Sequence, residues 1–178
     1  TINPSLTAQC NYLAEVAEQY KYGRNNGLKY RVIRRAAHNN DAEVASLIST
    51  LATEPDFDPT QKSLAFEFLC LNHTLLSYIA ALGEHREKIE DQEVLTLLDL
   101  AVENIQGSLL KDEAPDLNAQ NMLDTIRQRL SSNNKDDQKA LIVLQQLSLM
   151  LSILNQLSRL KQSLSHDRDD KATELASL

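Results

Sequence analysis

Apolar residues recur at three- and four-residue spacing along most of the chain, and this period constrains its fold more than any other feature. Leucines at 144, 147, 151, 154 and 157 show it most plainly. Such spacing places the apolar side chains on one face of an α-helix. The 178 residues include only 4 glycines and 4 prolines, whereas sandwiches, barrels and Rossmann folds need frequent turns and glycine-rich loops. The sequence therefore predicts an all-α fold, an antiparallel bundle of about six helices, four of them long.

Capping residues, glycines and prolines mark where these helices begin and end. Asp58-Pro59 and Asp91 are typical helix starts, and Gly23 is a typical stop. The predicted helices are residues 4–23, 28–53, 60–88, 91–109, 119–130 and 136–164. We expect residues 1–164 to form a single domain. Residues 165–178 are expected to be a disordered tail, because the run SHDRDDKATELASL has too few apolar residues to pack well.

The chain lacks the short motifs that bind common cofactors. No GxGxxG or GxxxxGK[ST] run is present, although phosphate-cradling loops need glycine where the backbone approaches the ligand. Cys10 and Cys70 are far apart and belong to no CxxC or Cys/His cluster of the kind that holds zinc. We therefore expect no cofactor and no metal, and we expect Cys70, on an apolar helix, to be a small core residue.

Two apolar stretches, residues 68–83 and 140–158, have the character of buried helices rather than membrane spans. The first is uncharged but has only 16 residues, fewer than the roughly 20 that a spanning helix needs. The second contains several polar side chains, among them Gln145, Gln146, Ser148, Ser152, Asn155 and Gln156. The chain as given is therefore not expected to cross a bilayer.

Positive charge is concentrated in one short segment. Residues 21–40 contain six cations and no acid: Lys21, Arg24, Lys29, Arg31, Arg34 and Arg35. The whole chain has 18 Lys and Arg against 25 Asp and Glu, a net charge of −7, so this segment carries +6 and the remainder −13. The sequence therefore predicts a basic end on an acidic bundle.

Two interpretations of the basic segment remain open. On a helix, Arg31 and Arg35 are one turn apart with Arg34 beside them, so their guanidinium groups can converge on a phosphate, a carboxylate or anionic lipid headgroups. Lys29 and Arg24 would extend that surface. Alternatively, the cations pair with acids of the same chain, such as Asp41 and Glu43. Nucleic acid is not an expected partner, because the sequence pI is about 5.1 and the acidic remainder would repel phosphates.

Polar residues that could carry out chemistry lie next to the arginines. His38 lies three residues before Asp41, so an imidazole and a carboxylate could share a helix face, and Tyr30 and His73 are further polar candidates. A metal-dependent hydrolase would need more His and Asp ligands, and no Glu-x-x-His pair is present. We interpret His38 and His73 as packing residues, assign no catalytic residue, and predict that the chain is not an enzyme.

Three sequence runs carry a resemblance to a known family. They are KYRVIRRAAHNNDA at 29–42, Glu54-Pro55, and FLCLNHTLLSYIAALGEHR at 68–86. Together they resemble the C-terminal cytoplasmic region of YccS/YhfK-like inner-membrane proteins, which belong to the fusaric acid resistance (FUSC) family. The resemblance covers about half of the chain, residues 6–86, and only a generic helical pattern follows it.

The resemblance implies a soluble cytoplasmic domain of a bacterial inner-membrane transport or efflux protein, beginning just after the last membrane helix. Its role would be structural, oligomerising or gating. Its partners would be its own transmembrane region, further copies of itself and anionic lipid headgroups. Two other hypotheses remain: a free-standing helical adaptor that binds a protein partner in an apolar groove, and a metal-dependent hydrolase around His38 and Asp41.

Overall fold

The fold is all-α, as predicted. The computed structural model describes the backbone of residues 2–177 and the side chains of residues 2–166, 176 and 177. Within that part of the chain there are six helices and no strand: α1 (Ile2–Tyr22), α2 (Leu28–Ala52), α3 (Pro59–Glu84), α4 (Gln92–Leu110), α5 (Asn118–Arg129) and α6 (Lys135–Ala176). The short member is α5, with 12 residues.

Local chemistry sets three of the helix ends at the predicted residues. Gly23 follows α1 with φ of +108°, a left-handed conformation that favours glycine, and its amide bonds to the Gln19 carbonyl. The Asp58 carboxylate accepts from the Thr60 amide at the start of α3. The Asp91 carboxylate accepts from the amides of Glu93 and Val94 at the start of α4. The last two contacts satisfy amides that a helix start leaves without partners.

The six helices enclose one apolar core, with α3 in contact with α1, α2 and α6. The most extensive packing is between α3 and α6, followed by α1 against α2. The largest fully buried side chains are Tyr12, Tyr20, Phe68, Leu6, Leu13, Leu75, Ile79, Leu82, Leu97, Leu98, Ile105 and Leu109. They come from α1, α3 and α4, so these three helices supply the largest side chains of the core.

The expectation for Cys70 is wrong, because its side chain is exposed while that of Cys10 is buried. Cys70 lies on a solvent-facing stripe of α3 with Phe66 and His73, opposite the buried Phe68. A helix that is apolar on nearly every side gives no periodic signal for which stripe faces outward. Burial raises the pKa of the Cys10 thiol to about 12, so that thiol stays protonated at neutral pH.

Two helix ends differ from the predicted ones. The third helix ends at Glu84 rather than near Lys88, because the chain turns inward to bury Arg86, and the Ile89 amide bonds to the Tyr20 carbonyl at 2.9 Å. The sixth helix continues past 164 to Ala176, since no glycine or proline interrupts that segment. The predicted tail at 165–178 falls mostly on side chains outside the described residues, and its disorder stays a prediction.

Two helices are long and apolar enough to span a membrane by length and composition: Pro59–Glu84 and Lys135–His166. Core helices of soluble proteins pass the same test. In this bundle α3 buries the polar side chain of Asn72, which is bonded to α1 and α2. These hydrogen bonds hold α3 against α1 and α2.

The cap at the start of α3 gives a direct test of the helix boundary. Replacing Asp58 by alanine removes the acceptor for the Thr60 amide, so the free energy of unfolding should fall by about 1 kcal/mol. Asp56→Ala, in the same loop and also exposed, is the matched control and should change stability by less than about 0.5 kcal/mol. Urea unfolding of both variants measures the difference, and equal losses would contradict the cap.

Candidate functional site

The basic segment lies where four chain segments meet at one end of the bundle. The end of α1, the start of α2, the end of α3 and the connection to α4 converge there. The Arg24 guanidinium donates to the Glu84 carbonyl at 3.2 Å, and the Tyr20 hydroxyl donates to the Leu82 carbonyl at 2.7 Å. These bonds join residues about 60 positions apart in sequence. We call the region formed by residues 19–35 and 82–89 the basic corner.

Arg86 lies at the centre of the basic corner and is 3% exposed. Its guanidinium donates to the Gln19 amide oxygen at 2.5 Å, to the Gly83 carbonyl at 2.5 Å and to the Asn26 amide oxygen. It also lies over the Tyr30 ring, 3.8 Å from the ring centroid, a cation–π contact. Among the described residues none of these partners is an acid, so a buried positive charge is held without a counter-charge.

Two tyrosines form the wall beside Arg86. The rings of Tyr12 and Tyr30 meet edge to face with centroids 6.1 Å apart. A β-carbon at Gly83 would lie 3.3 Å from the Tyr30 hydroxyl and 3.4 Å from that of Tyr12, so glycine lets both phenols approach α3 closely. Burial, followed by hydrogen bonding to Tyr30, raises the pKa of Tyr12. Tyr12 therefore remains a neutral hydroxyl at physiological pH.

Two adjacent cavities open at the basic corner. One, of about 330 Å³, is lined by Tyr12, Tyr30, Asn26, Ala80, Glu84 and three arginines, Arg24, Arg34 and Arg86. The second, of about 350 Å³, is lined by Tyr30, Arg31, Arg34, Arg35 and His38. Arg34 and Tyr30 border both cavities, and we call the first one the Arg86 cavity. The structure thus brings most of the predicted cationic candidates together around two concave surfaces.

The cations of the basic segment do not all have the same partners. Lys21 pairs with Asp99 at 2.8 Å, and Lys29 pairs with Glu15 at 3.2 Å. Arg31, Arg34 and Arg35 are exposed, and no acid lies within ion-pair distance of them in the described part of the chain. The predicted alternative, pairing of the arginines with Asp41 or Glu43, is therefore not seen. Asp41 is buried on the face of α2 that packs against α3, away from the exposed arginines.

Asp41 belongs to a buried polar network between α1, α2 and α3. Its carboxylate accepts from the Asn72 amide at 3.0 Å and lies 2.8 Å from Nδ1 of His73. The Asn72 amide also donates to Ser5, and the Gln9 amide donates to the Asn72 side chain at 2.6 Å. Asn72, Gln9 and Ser5 are 0% exposed. A packing role for His73 agrees with this network, because its ring bridges α3 to α2.

His38 lies apart from that network, so the predicted His38–Asp41 pair does not form. The His38 ring is exposed and tilts toward Tyr12, with centroids 6.2 Å apart. Partial burial, followed by the charge of Arg34, lowers the pKa of His38, so the ring is neutral at physiological pH. Among the described residues no group of three His, Cys, Asp or Glu could hold a metal ion, so the hydrolase hypothesis finds no ligand set there.

Arg86, Asn72 and Tyr12 are not among the site residues predicted from the sequence. Arg86 lies near the end of the predicted third helix, and Tyr12 lies within the predicted first helix, and no motif marks either residue. The one signal available was their sequence context, since Asn72 and Arg86 lie within the run at 68–86 that carries the family resemblance. Their functional placement depends on contacts between segments more than 60 residues apart.

Comparison with known proteins supports the resemblance. The chain is 40% identical over 159 residues to inner membrane protein YccS of Escherichia coli (strain K12), a match that covers 89% of this chain. The chain is similar to part of an inner-membrane protein. The match spans only 22% of that protein's length. The resemblance to YccS-like proteins is thus confirmed and extends beyond residue 86 to most of the chain.

A second relative is an uncharacterised protein of Haemophilus influenzae. This chain is 34% identical to it over 87 residues, which is 49% of this chain and 12% of that protein. No family model matches the chain, and no solved structure matches it significantly.

The buried network predicts a large stability loss on removal of its central amide. Asn72→Ala leaves the Asp41 carboxylate and the Gln9 amide with fewer partners, so the free energy of unfolding should fall by about 2–4 kcal/mol. Asn39→Ala, on the exposed side of α2, is the control and should change stability by less than about 0.5 kcal/mol. Thermal and urea unfolding test this, and a loss below about 1 kcal/mol for Asn72→Ala would argue against the network.

Proposed function

We propose that this chain is a non-enzymatic cytoplasmic domain of an inner-membrane transport or efflux protein of the FUSC family. Its role is structural, oligomerising or gating, and its partners are its own transmembrane region and further copies of the protein. The observation that carries this proposal is the 40% identity to YccS over 89% of the chain. Because the chain spans 22% of that relative, the remaining length leaves room for membrane-spanning segments.

The surface of the basic corner supports contact with a membrane. Leu28, Arg31, Val32 and Arg35 follow the spacing of one helix face, so apolar and cationic side chains alternate along the outside of α2. Leu28 is 69% exposed, Val32 56% and the nearby Tyr22 79%. Exposed apolar side chains flanked by unpaired arginines suit an anionic headgroup layer, which attracts the cations and admits the apolar tips.

The charge distribution favours one orientation of the domain at a membrane surface. The basic segment carries +6, whereas the rest of the chain carries −13. An anionic membrane surface attracts the first and repels the second. The domain would therefore dock with the basic corner toward the bilayer, as the positive-inside bias of cytoplasmic segments leads one to expect.

Binding to anionic vesicles tests the role of the exposed arginines. Each cation near an anionic surface contributes about 1 kcal/mol, so Arg31→Gln combined with Arg35→Gln should weaken binding to phosphatidylglycerol-rich vesicles roughly thirtyfold. Thermal stability should stay unchanged, because neither arginine has an acid partner in the described part of the chain. Vesicle co-sedimentation and thermal unfolding measure the two quantities.

The control removes the same charge from the opposite end of the bundle. Lys111→Gln with Arg159→Gln changes two exposed cations near the end of α4, and binding should fall no more than about threefold. Equal losses for the two double variants would show a non-specific charge effect. A marked loss of thermal stability in the Arg31 and Arg35 variant would instead favour structural pairing.

The exposed Cys70 reports on which side of the membrane the domain lies. In the full-length protein, with cysteines outside this chain replaced by serine, a membrane-impermeant maleimide should label Cys70 in inside-out vesicles but not in intact spheroplasts. Cys10 is buried and should remain unlabelled until the protein is denatured, and Cys70→Ser is the matched control. Labelling of Cys70 in spheroplasts would place the domain on the periplasmic side and contradict the proposal.

A further inference from the structure

We propose that the Arg86 cavity is a binding site for a tetrahedral oxyanion of the phosphate class. The proposal rests on the buried cation at its base and the two arginines at its rim, and it is independent of the membrane placement above. The cavity can bind phosphate whether or not the domain lies in the cytoplasm.

Arg86 supplies the strongest part of the argument. A guanidinium has five N–H donors. The Arg86 guanidinium makes three hydrogen bonds to protein acceptors, on Gln19, Gly83 and Asn26. These acceptors are neutral amides. Among the described residues, therefore, no hydrogen-bond partner of Arg86 carries a negative charge. Burying a charge without a counter-charge is costly, and an anion in the adjoining cavity would remove that cost.

Two more arginines line the cavity, and each lies on a different chain segment from Arg86. Arg24 comes from the loop between α1 and α2, Arg34 from α2, and Arg86 from the segment after α3. Arg24 uses one donor on the Glu84 carbonyl, which leaves the rest of its guanidinium free. Three guanidinium groups outweigh the single acid of the lining, Glu84, so the cavity is net positive.

The arrangement of donors favours a tetrahedral anion over a planar one. Guanidinium groups on three separate segments line the cavity, and together they offer donors for the several acceptor oxygens of a phosphate. A carboxylate offers two oxygens in one plane, and one arginine can satisfy both. The neutral hydroxyl of Tyr12 adds no negative charge to the cavity. A volume of about 330 Å³ admits inorganic phosphate or the headgroup of a phospholipid.

Calorimetric titration of the chain with sodium phosphate at constant ionic strength tests the site. Arg24→Gln and Arg34→Gln should each weaken phosphate binding about tenfold, because each removes a charge-assisted donor. Arg31→Gln is the matched control, since this exposed arginine lies on the same helix but borders only the neighbouring cavity. It should change the affinity by less than about twofold. All three side chains are exposed, and thermal unfolding of each variant checks that it folds.

Competing anions identify the chemical class. Sodium sulfate should bind in competition with phosphate, whereas sodium acetate should bind at least tenfold more weakly. Acetate binding as well as phosphate would overturn the tetrahedral assignment. An absence of phosphate binding, or an equal loss in the Arg31 and Arg34 variants, would overturn the site itself.

A vesicle arm separates the two sources of the phosphate group. If a phospholipid headgroup occupies the cavity, Arg34→Gln should weaken binding to phosphatidylglycerol vesicles about tenfold, and free phosphate should compete. If the ligand is a free phosphate, vesicle binding should be insensitive to added phosphate at constant ionic strength while calorimetry still shows saturation. Either result supports the site, and the Arg31 and Arg35 double variant tests the membrane surface separately.

Discussion

The guanidinium of Arg86 is the interaction on which the basic corner depends. It joins the last turn of α1 through Gln19, the following loop through Asn26 and the end of α3 through Gly83, and it stacks on Tyr30 of α2. A lysine could not reproduce this, because a planar fork is needed to reach three acceptors while one face lies on an aromatic ring. The geometry that closes the corner also leaves a buried positive charge beside a cavity.

A second polar cluster fixes the same three helices farther along the bundle. Asp41, Asn72 and Gln9 are linked within the α1–α2–α3 interface, where an apolar contact alone would permit sliding of one helix along another. Because each group needs its partner, the network specifies one relative position of the helices. That position brings Gly83 against the hydroxyls of Tyr12 and Tyr30, so the packing of the bundle sets the shape of the Arg86 cavity.

Much of the fold was predictable because local chemistry determines it. The stop at Gly23 and the caps at Asp58 and Asp91 depend on residues a few positions away, and the apolar period depends on one helix at a time. The site was less predictable, since its contacts join distant segments. The arginines were recognisable as a cluster from the sequence, but which of them lack acid partners depends on the exposed face of α2. The prediction that Cys70 is a core residue was wrong, because the sequence of a largely apolar helix does not show which face is exposed to solvent.

The most direct measurement of the central claim is a crystal structure of the chain grown with saturating phosphate and without other oxyanions. We expect a tetrahedral anion in the Arg86 cavity, with its oxygens about 2.7–3.2 Å from guanidinium nitrogens of Arg24, Arg34 and Arg86. We also expect that Arg86 keeps its bonds to Gln19 and Asn26. An empty cavity, or a Glu84 carboxylate turned inward to pair with Arg86, would contradict the claim.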